Sequence, residues 1–154
     1  MKFSAREDIE APMDHVYRAI TDFPAFERQA LRRGADVRRT DVSGGATVGA
    51  TWDVKFSFRG KERNMKALLA RLDDQGLQLD TVSSGIDGQT VVDLVPLSPR
   101  RTRLAVSIEL KAKTLSARLL LQSLKLAKAS LTTRFKKRVA DFASDVEGRY
   151  KPGA

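Results

Sequence analysis

The sequence predicts an α+β fold: a seven-stranded antiparallel sheet curved around one long C-terminal helix, with two short helices between strands 1 and 2. Three observations carry this. Apolar and polar residues alternate with period two through most of residues 35–111, the spacing of half-buried strands. Short polar turns punctuate that stretch, which implies an antiparallel meander. After it, the period changes to that of a helix and holds almost to the end of the chain.

Residues 2–10 open the pattern. Phe3, Ala5, Glu7 and Ile9 share one face, and Lys2, Ser4, Arg6 and Asp8 the other. Ala11-Pro12 ends this strand, because proline has no N–H for a ladder. Residues 13–22 read as a short helix, with Pro12 and Asp14 as entry signals and Met13, Val16, Tyr17 and Ile20 on one side. Asp22-Phe23-Pro24 should break it, and 26–31 reads as a second short helix stopped by Gly34. Residues 35–42 form a weak strand, followed by a turn at Ser43-Gly44-Gly45. Residues 51–59 are the clearest strand, with Trp52, Val54, Phe56 and Phe58 on one face. Gly60-Lys61 turns into 62–72, and Asp73-Asp74-Gln75-Gly76 turns into a strand containing Leu77 and Leu79. Residues 83–88 read as a loop, 89–97 as a strand, Ser98-Pro99-Arg100-Arg101 as a turn, and 104–111 as the last strand.

In the tail, Leu120, Leu124, Ala127, Leu131, Phe135, Phe142 and Val146 follow helical spacing. Thr114 or Ser116 can cap the start, and Gly148 with Pro152 marks the end. A straight helix over 115–147 would be roughly 50 Å long. That is too long for a small domain, so a kink or irregular turn is expected near 115–121.

The chain has 154 residues, which predicts a single domain over 1–154 that buries roughly 68–70% of its unfolded surface. It has no cysteine, so it offers neither disulfides nor thiolate chemistry. The charged N-terminus has no apolar core segment of the kind a secretory signal needs. No apolar run approaches ~18 residues, and a cytoplasmic location is the simplest expectation. The net charge of +9 is local: between Leu110 and Ala140 there is no acidic residue, while nine Lys and Arg side chains occur there.

The segment Ile9-Glu10-Ala11-Pro12-Met13-Asp14-His15-Val16-Tyr17-Arg18-Ala19-Ile20-Thr21-Asp22-Phe23-Pro24-Ala25-Phe26 resembles the opening pattern of the START-like (SRPBCC) superfamily. That pattern is an apolar strand, Ala-Pro, a polar pair, Val-aromatic, a helix ending in Asp, and an aromatic-rich stretch. Val48-Gly49-Ala50-Thr51-Trp52 resembles the superfamily's glycine-led third strand. Phe26 stands where the family often has Trp. The topology matches over nearly the whole chain and the motifs over about its first third. The resemblance implies a helix-grip fold with a cavity between the concave sheet and the C-terminal helix. Members bind lipids, sterols, polyketides, plant hormones or quinones. A minority are polyketide cyclases or aromatases, or carry a metal centre in an added domain, for which this chain has neither the length nor the cysteines.

The candidate ligand-binding residues are Glu7, Trp52, Val54, Phe56, Leu79, Leu94, Val106, Leu131 and Phe135. Their competing role is plain core packing, the usual fate of an aromatic stripe on a strand. Glu7 shares an apolar face, so it must meet a cation or donors; with Asn64 it is the candidate polar anchor. Asp53 and Glu109 should face solvent. Lys128, Arg134, Lys136, Lys137 and Arg138 are candidates for an anionic membrane surface. A nucleic-acid partner is disfavoured, because the tail lacks exposed aromatics for stacking. His15, the single histidine, sits in the first turn of an amphipathic helix and is expected to be exposed; there is no histidine dyad. Asp73-Asp74 is a turn, and the glycines of 44–49 lack the context of a phosphate cradle. No cofactor, catalytic set or metal ligand is expected. The leading expectation is non-enzymatic binding or transport of a hydrophobic small molecule or lipid. The alternatives are a polyketide cyclase/aromatase-like enzyme, and a peripheral membrane or interaction protein using the basic helix. Nothing in the sequence sets an oligomeric state.

Overall fold

The computed structural model describes residues 1–41 and 45–152. The order of elements is β1 (Lys2–Ile9), α1 (Met13–Ile20), α2 (Phe23–Arg32), β2 (Asp36–Arg39), β3 (Thr51–Phe58), β4 (Lys61–Asp73), β5 (Gly76–Ser83), β6 (Ile86–Ser98), β7 (Arg101–Ala112), α3 (Leu115–Lys125) and α4 (Lys128–Arg149). One seven-stranded sheet runs β1-β7-β6-β5-β4-β3-β2, and every pairing is antiparallel. The expected seven strands, two short helices and C-terminal helical tail are all present. The Ser43-Gly44 turn lies outside the described residues.

The differences are local and physical. The second helix begins at Phe23 rather than at residue 26, because Asp22 caps it by accepting from the Ala25 N–H at 3.3 Å. Pro24 then falls in the first turn, where its missing N–H costs nothing. The segment 83–88 is not a loop. Ser83 pairs with Ile86 across a two-residue turn in which Ser84 (φ 49°) and Gly85 (φ 77°) are both left-handed, the geometry that matches strand twist in a hairpin. Arg59 and Gly60 form the same kind of turn, one residue earlier than the sequence pattern places it.

The long helix is broken, but not where expected. Thr114 caps α3 by accepting from the Ala117 N–H at 3.1 Å. The break comes at Leu126 and Ala127, whose N–H groups bond to Ser123 and Leu124. These tighter i→i−3 bonds end one helix before the next begins. α4 is thereby free to lie along β1, the strand it packs on most closely.

The C-terminal end of α4 is fastened to the β1–α1 corner. The Val146 carbonyl is released where Tyr150 N–H turns back to Glu147, and the His15 ring nitrogen Nε2 takes it up at 2.8 Å. His15 also lies 5.1 Å from the Tyr150 ring. It is half-buried rather than exposed, and it satisfies an orphan carbonyl at a helix end. Nearby, Glu10 N–H donates to Glu147 Oε1 at 2.7 Å. Thr102, fully buried, donates from Oγ1 to the carbonyl of fully buried Ala11 at 2.9 Å. Thr102→Val keeps the volume but strands that carbonyl, so it should cost about 1–3 kcal/mol. Urea unfolding would show this as a lower midpoint with an unchanged slope.

Candidate functional site

Strand register fixes which residues face the helices. The inward set includes Ile9 and Glu7 on β1, Leu104 and Val106 on β7, Leu94 and Val92 on β6, Leu77 and Leu79 on β5, and Trp52, Val54 and Phe56 on β3. Along each of these strands burial falls in the same direction. Ile9, Leu104, Leu94, Leu77 and Trp52 are buried at one end; Glu7, Val106, Val92, Leu79, Val54 and Phe56 are only half-buried beyond them. The buried end lies under Val16, Val139, Ala143 and Val146. At the other end the apolar side chains of the concave face are only half-buried, as are Leu131 and Phe135 of α4. The Phe135 ring stands 6.1 Å from Phe3.

Seven of the nine candidate ligand-binding residues therefore share the inward face of the sheet, and Leu131 and Phe135 lie on α4, but the nine do not share one environment. Leu94 (2% exposed) and Trp52 (6%) belong to the sealed core. Trp52 is held on three sides: Nε1 donates to Glu27 Oε1 at 2.8 Å, Phe23 meets it edge-on at 5.3 Å, and Arg39 lies 5.1 Å over its ring. Val54, Phe56, Leu79, Val106, Leu131 and Phe135 are half-buried. Sequence reasoning missed Met65, Ala67, Val92 and Ile108 on the same face, although the register makes them neighbours of the candidates. The alternation in each strand carried that signal once the turns were placed correctly.

Glu7 faces inward, half-buried, and its carboxylate makes no hydrogen bond or ion pair among the described residues. It borders an open recess of about 630 Å³ together with Val106 and Lys136. The lining of this recess also takes in Ser4, Ala105 and Ser107, whose side chains project from the opposite face. With Arg6, Val91 and Asp93 also on that outer face, most of the lining lies there, so this recess is not a chamber beneath the helix. Asn64 pairs with Lys55 on the outer face, and its carbonyl accepts from Ser83 Oγ; it is not on the concave face. Arg63 is a cation that the register places inward, 5.6 Å over the Phe58 ring.

The outer face is polar and ion-paired. Asp53 meets Lys66 at 3.2 Å and Glu109 meets Lys111 at 3.4 Å, so both carboxylates face solvent as expected. The Arg103 hydrogen bond holds the Asp8 carboxyl below its ordinary range, and Arg71 does the same for Asp73. Such exposed pairs contribute little to stability. On α4, Lys137 pairs with Asp141 at 2.9 Å. Lys128, Arg134, Lys136 and Arg138 are exposed, but at 3.6 residues per turn the cations from Arg134 to Arg138 spread over about 200° of the helix. They form no single basic face. No helix among the described residues is long and apolar enough to cross a membrane.

No protein-family model matches the sequence, and no curated protein matches it significantly. Solved structures do match the fold. The Zhui aromatase/cyclase from Streptomyces sp. R1128 superposes with a TM-score of 0.69 at 11% identity, covering 100% of this chain and 98% of that one. Norcoclaurine synthase from Thalictrum flavum, in complex with dopamine and hydroxybenzaldehyde, gives 0.66 at 17% identity, covering 98% and 88%. A START superfamily protein from Mycobacterium smegmatis gives 0.56 at 14% identity, covering 88% and 97%. A sheet of this order wrapped on a C-terminal helix, matched over 88–100% of its length by these structures, is the START-like (SRPBCC) helix-grip fold, and this chain has it.

Proposed function

We propose that this chain binds a hydrophobic small molecule or lipid in the trough between the sheet and α4, as a carrier or sensor rather than a catalyst. The observation that carries this reading is the burial gradient: one end of the concave face is sealed, and the other keeps apolar side chains half-uncovered. Each such residue covered by a ligand contributes roughly 25 cal/mol per Å² taken from water. In this reading Glu7, half-buried on the inward face, orients the ligand. That norcoclaurine synthase holds dopamine and hydroxybenzaldehyde on the same fold supports small-molecule binding as a use for this architecture.

The test is native mass spectrometry of gently purified protein, followed by thermal-shift titration with fatty acids, quinones and flavonoids. Retained lipophile, or saturable stabilisation by one class, is the expected result. Phe56→Ala should then weaken binding about tenfold or more, from the lost burial of one aromatic side chain. A clean apo mass with no shift from any class overturns the proposal. A cyclase-like activity would instead require an acid–base group acting within the trough. Turnover of a bound polyketide-like compound that Glu7→Gln abolishes, without loss of its binding, would favour that reading.

A further inference from the structure

α3 is apolar on two sides, and only one of them is used by the fold. Ala117 and Leu121 are buried. On the opposite side Leu115 is 73% exposed, Leu119 59% and Leu126 92%. At 3.6 residues per turn these three leucines fall within about 40° of one another, and Arg118 and Lys125 line up together roughly 80–100° to one side of the row's centre. Leu126 keeps helical backbone angles at the C-cap, so the row is continuous to the break before α4. Contiguous exposed leucines are unfavourable in water and mark a surface that meets something apolar.

The flank of this row says what that something is. Between α3 and the end of β7 lies a second recess, about 440 Å³, lined by Lys111, Lys113, Arg118 and Lys125 with Leu110 and Leu121 among their neighbours. No carboxylate lines it. Lys111 reaches Glu109 at 3.4 Å and Lys113 reaches Asp87 at 3.7 Å, both on exposed side chains. Arg118 and Lys125 have no acidic partner among the described residues. A leucine row beside uncompensated cations is the pattern of a helix lying in a lipid interface.

We propose that α3 docks flat on an anionic bilayer surface. Leu115, Leu119 and Leu126 enter the acyl boundary, and Arg118 and Lys125, with the recess behind them, meet phosphate headgroups. This does not depend on the trough holding a ligand. It also relocates the membrane contact from α4, where the cations are dispersed, to α3, where they flank apolar side chains.

The experiment is flotation of the full chain with vesicles of phosphatidylcholine alone and of phosphatidylcholine mixed with phosphatidylglycerol. Binding should require phosphatidylglycerol and weaken as salt is raised. Arg118→Gln with Lys125→Gln should lower partitioning roughly twenty-five-fold, about fivefold for each cation lost near the surface. Replacing Leu115, Leu119 and Leu126 by serine should lower it about a hundredfold or more. Circular dichroism should show both variants folded, since all five side chains are exposed. Lys136→Gln with Arg138→Gln on α4 should leave partitioning nearly unchanged. Equal binding to both vesicle types, no binding to either, or a stronger loss from the α4 variant overturns the proposal. So does a dimer by sedimentation that the leucine variant dissociates, because a second copy would then cover the row.

Discussion

Trp52→Ala should lower stability by about 3–5 kcal/mol, the usual cost of removing a large aromatic from a core. For a chain of this length that corresponds to a fall in melting temperature of roughly 6–20 °C. The size of the effect follows from what Trp52 holds together. It is 6% exposed; its ring packs against Phe23 of α2, its N–H reaches Glu27 one turn further along, and Arg39 of β2 covers it. Truncation opens a cavity and loosens α2 from β3 at once. Trp52→Phe keeps most of the apolar contact but removes the donor to half-buried Glu27, so it should cost less, about 1–3 kcal/mol. Because Trp52 is the single tryptophan, unfolding must be followed by circular dichroism rather than by its fluorescence. If Trp52→Ala left the melting temperature unchanged and impaired only uptake of a lipophile, Trp52 would be a wall of the trough and not a fastening of α2.

That distinction marks where the sequence ceased to be readable. Alternation in β3 placed Trp52 on the concave face correctly, because the side-chain period of a strand is fixed by its backbone. It could not show that Phe23 and Glu27, from a helix more than twenty residues earlier, would close over the ring. His15 failed for the same reason. Its own helix puts it near the surface, and only the return of α4 brings the Val146 carbonyl to it. The helix break was anticipated from length but misplaced, since the tightened turn at Leu126–Ala127 contains neither proline nor glycine. The hairpin at Ser84-Gly85 was legible in principle from its turn residues. Among the candidate binding residues the inward face was legible throughout. The difference between Leu94, sealed, and Val106, half-buried, was not, because it depends on how far along the sheet the helices reach.

The second large effect is Gly76→Ala, expected to cost about 2–6 kcal/mol, with about 1–3 from backbone strain and about 1–3 from overpacking. Gly76 opens β5 opposite Asp93 of β6, with φ at +155°. A Cβ built there would stand 2.0 Å from the Val92 carbonyl oxygen and 3.0 Å from its carbon. The obstacle is backbone, and β6 is paired on both sides, with β5 and with β7. It cannot retreat without disturbing two ladders. Gly148→Ala supplies the contrast. Gly148 lies in α4, an added Cβ meets nothing within 4 Å, and removing glycine from a helix should stabilise by up to ~1 kcal/mol. The same single methyl group should therefore act with opposite signs at the two positions. Denaturant titration of both variants against the parent chain reads this directly. Equal losses at Gly76 and Gly148 would mean that glycine itself, and not the approach of β6 to the start of β5, sets the cost.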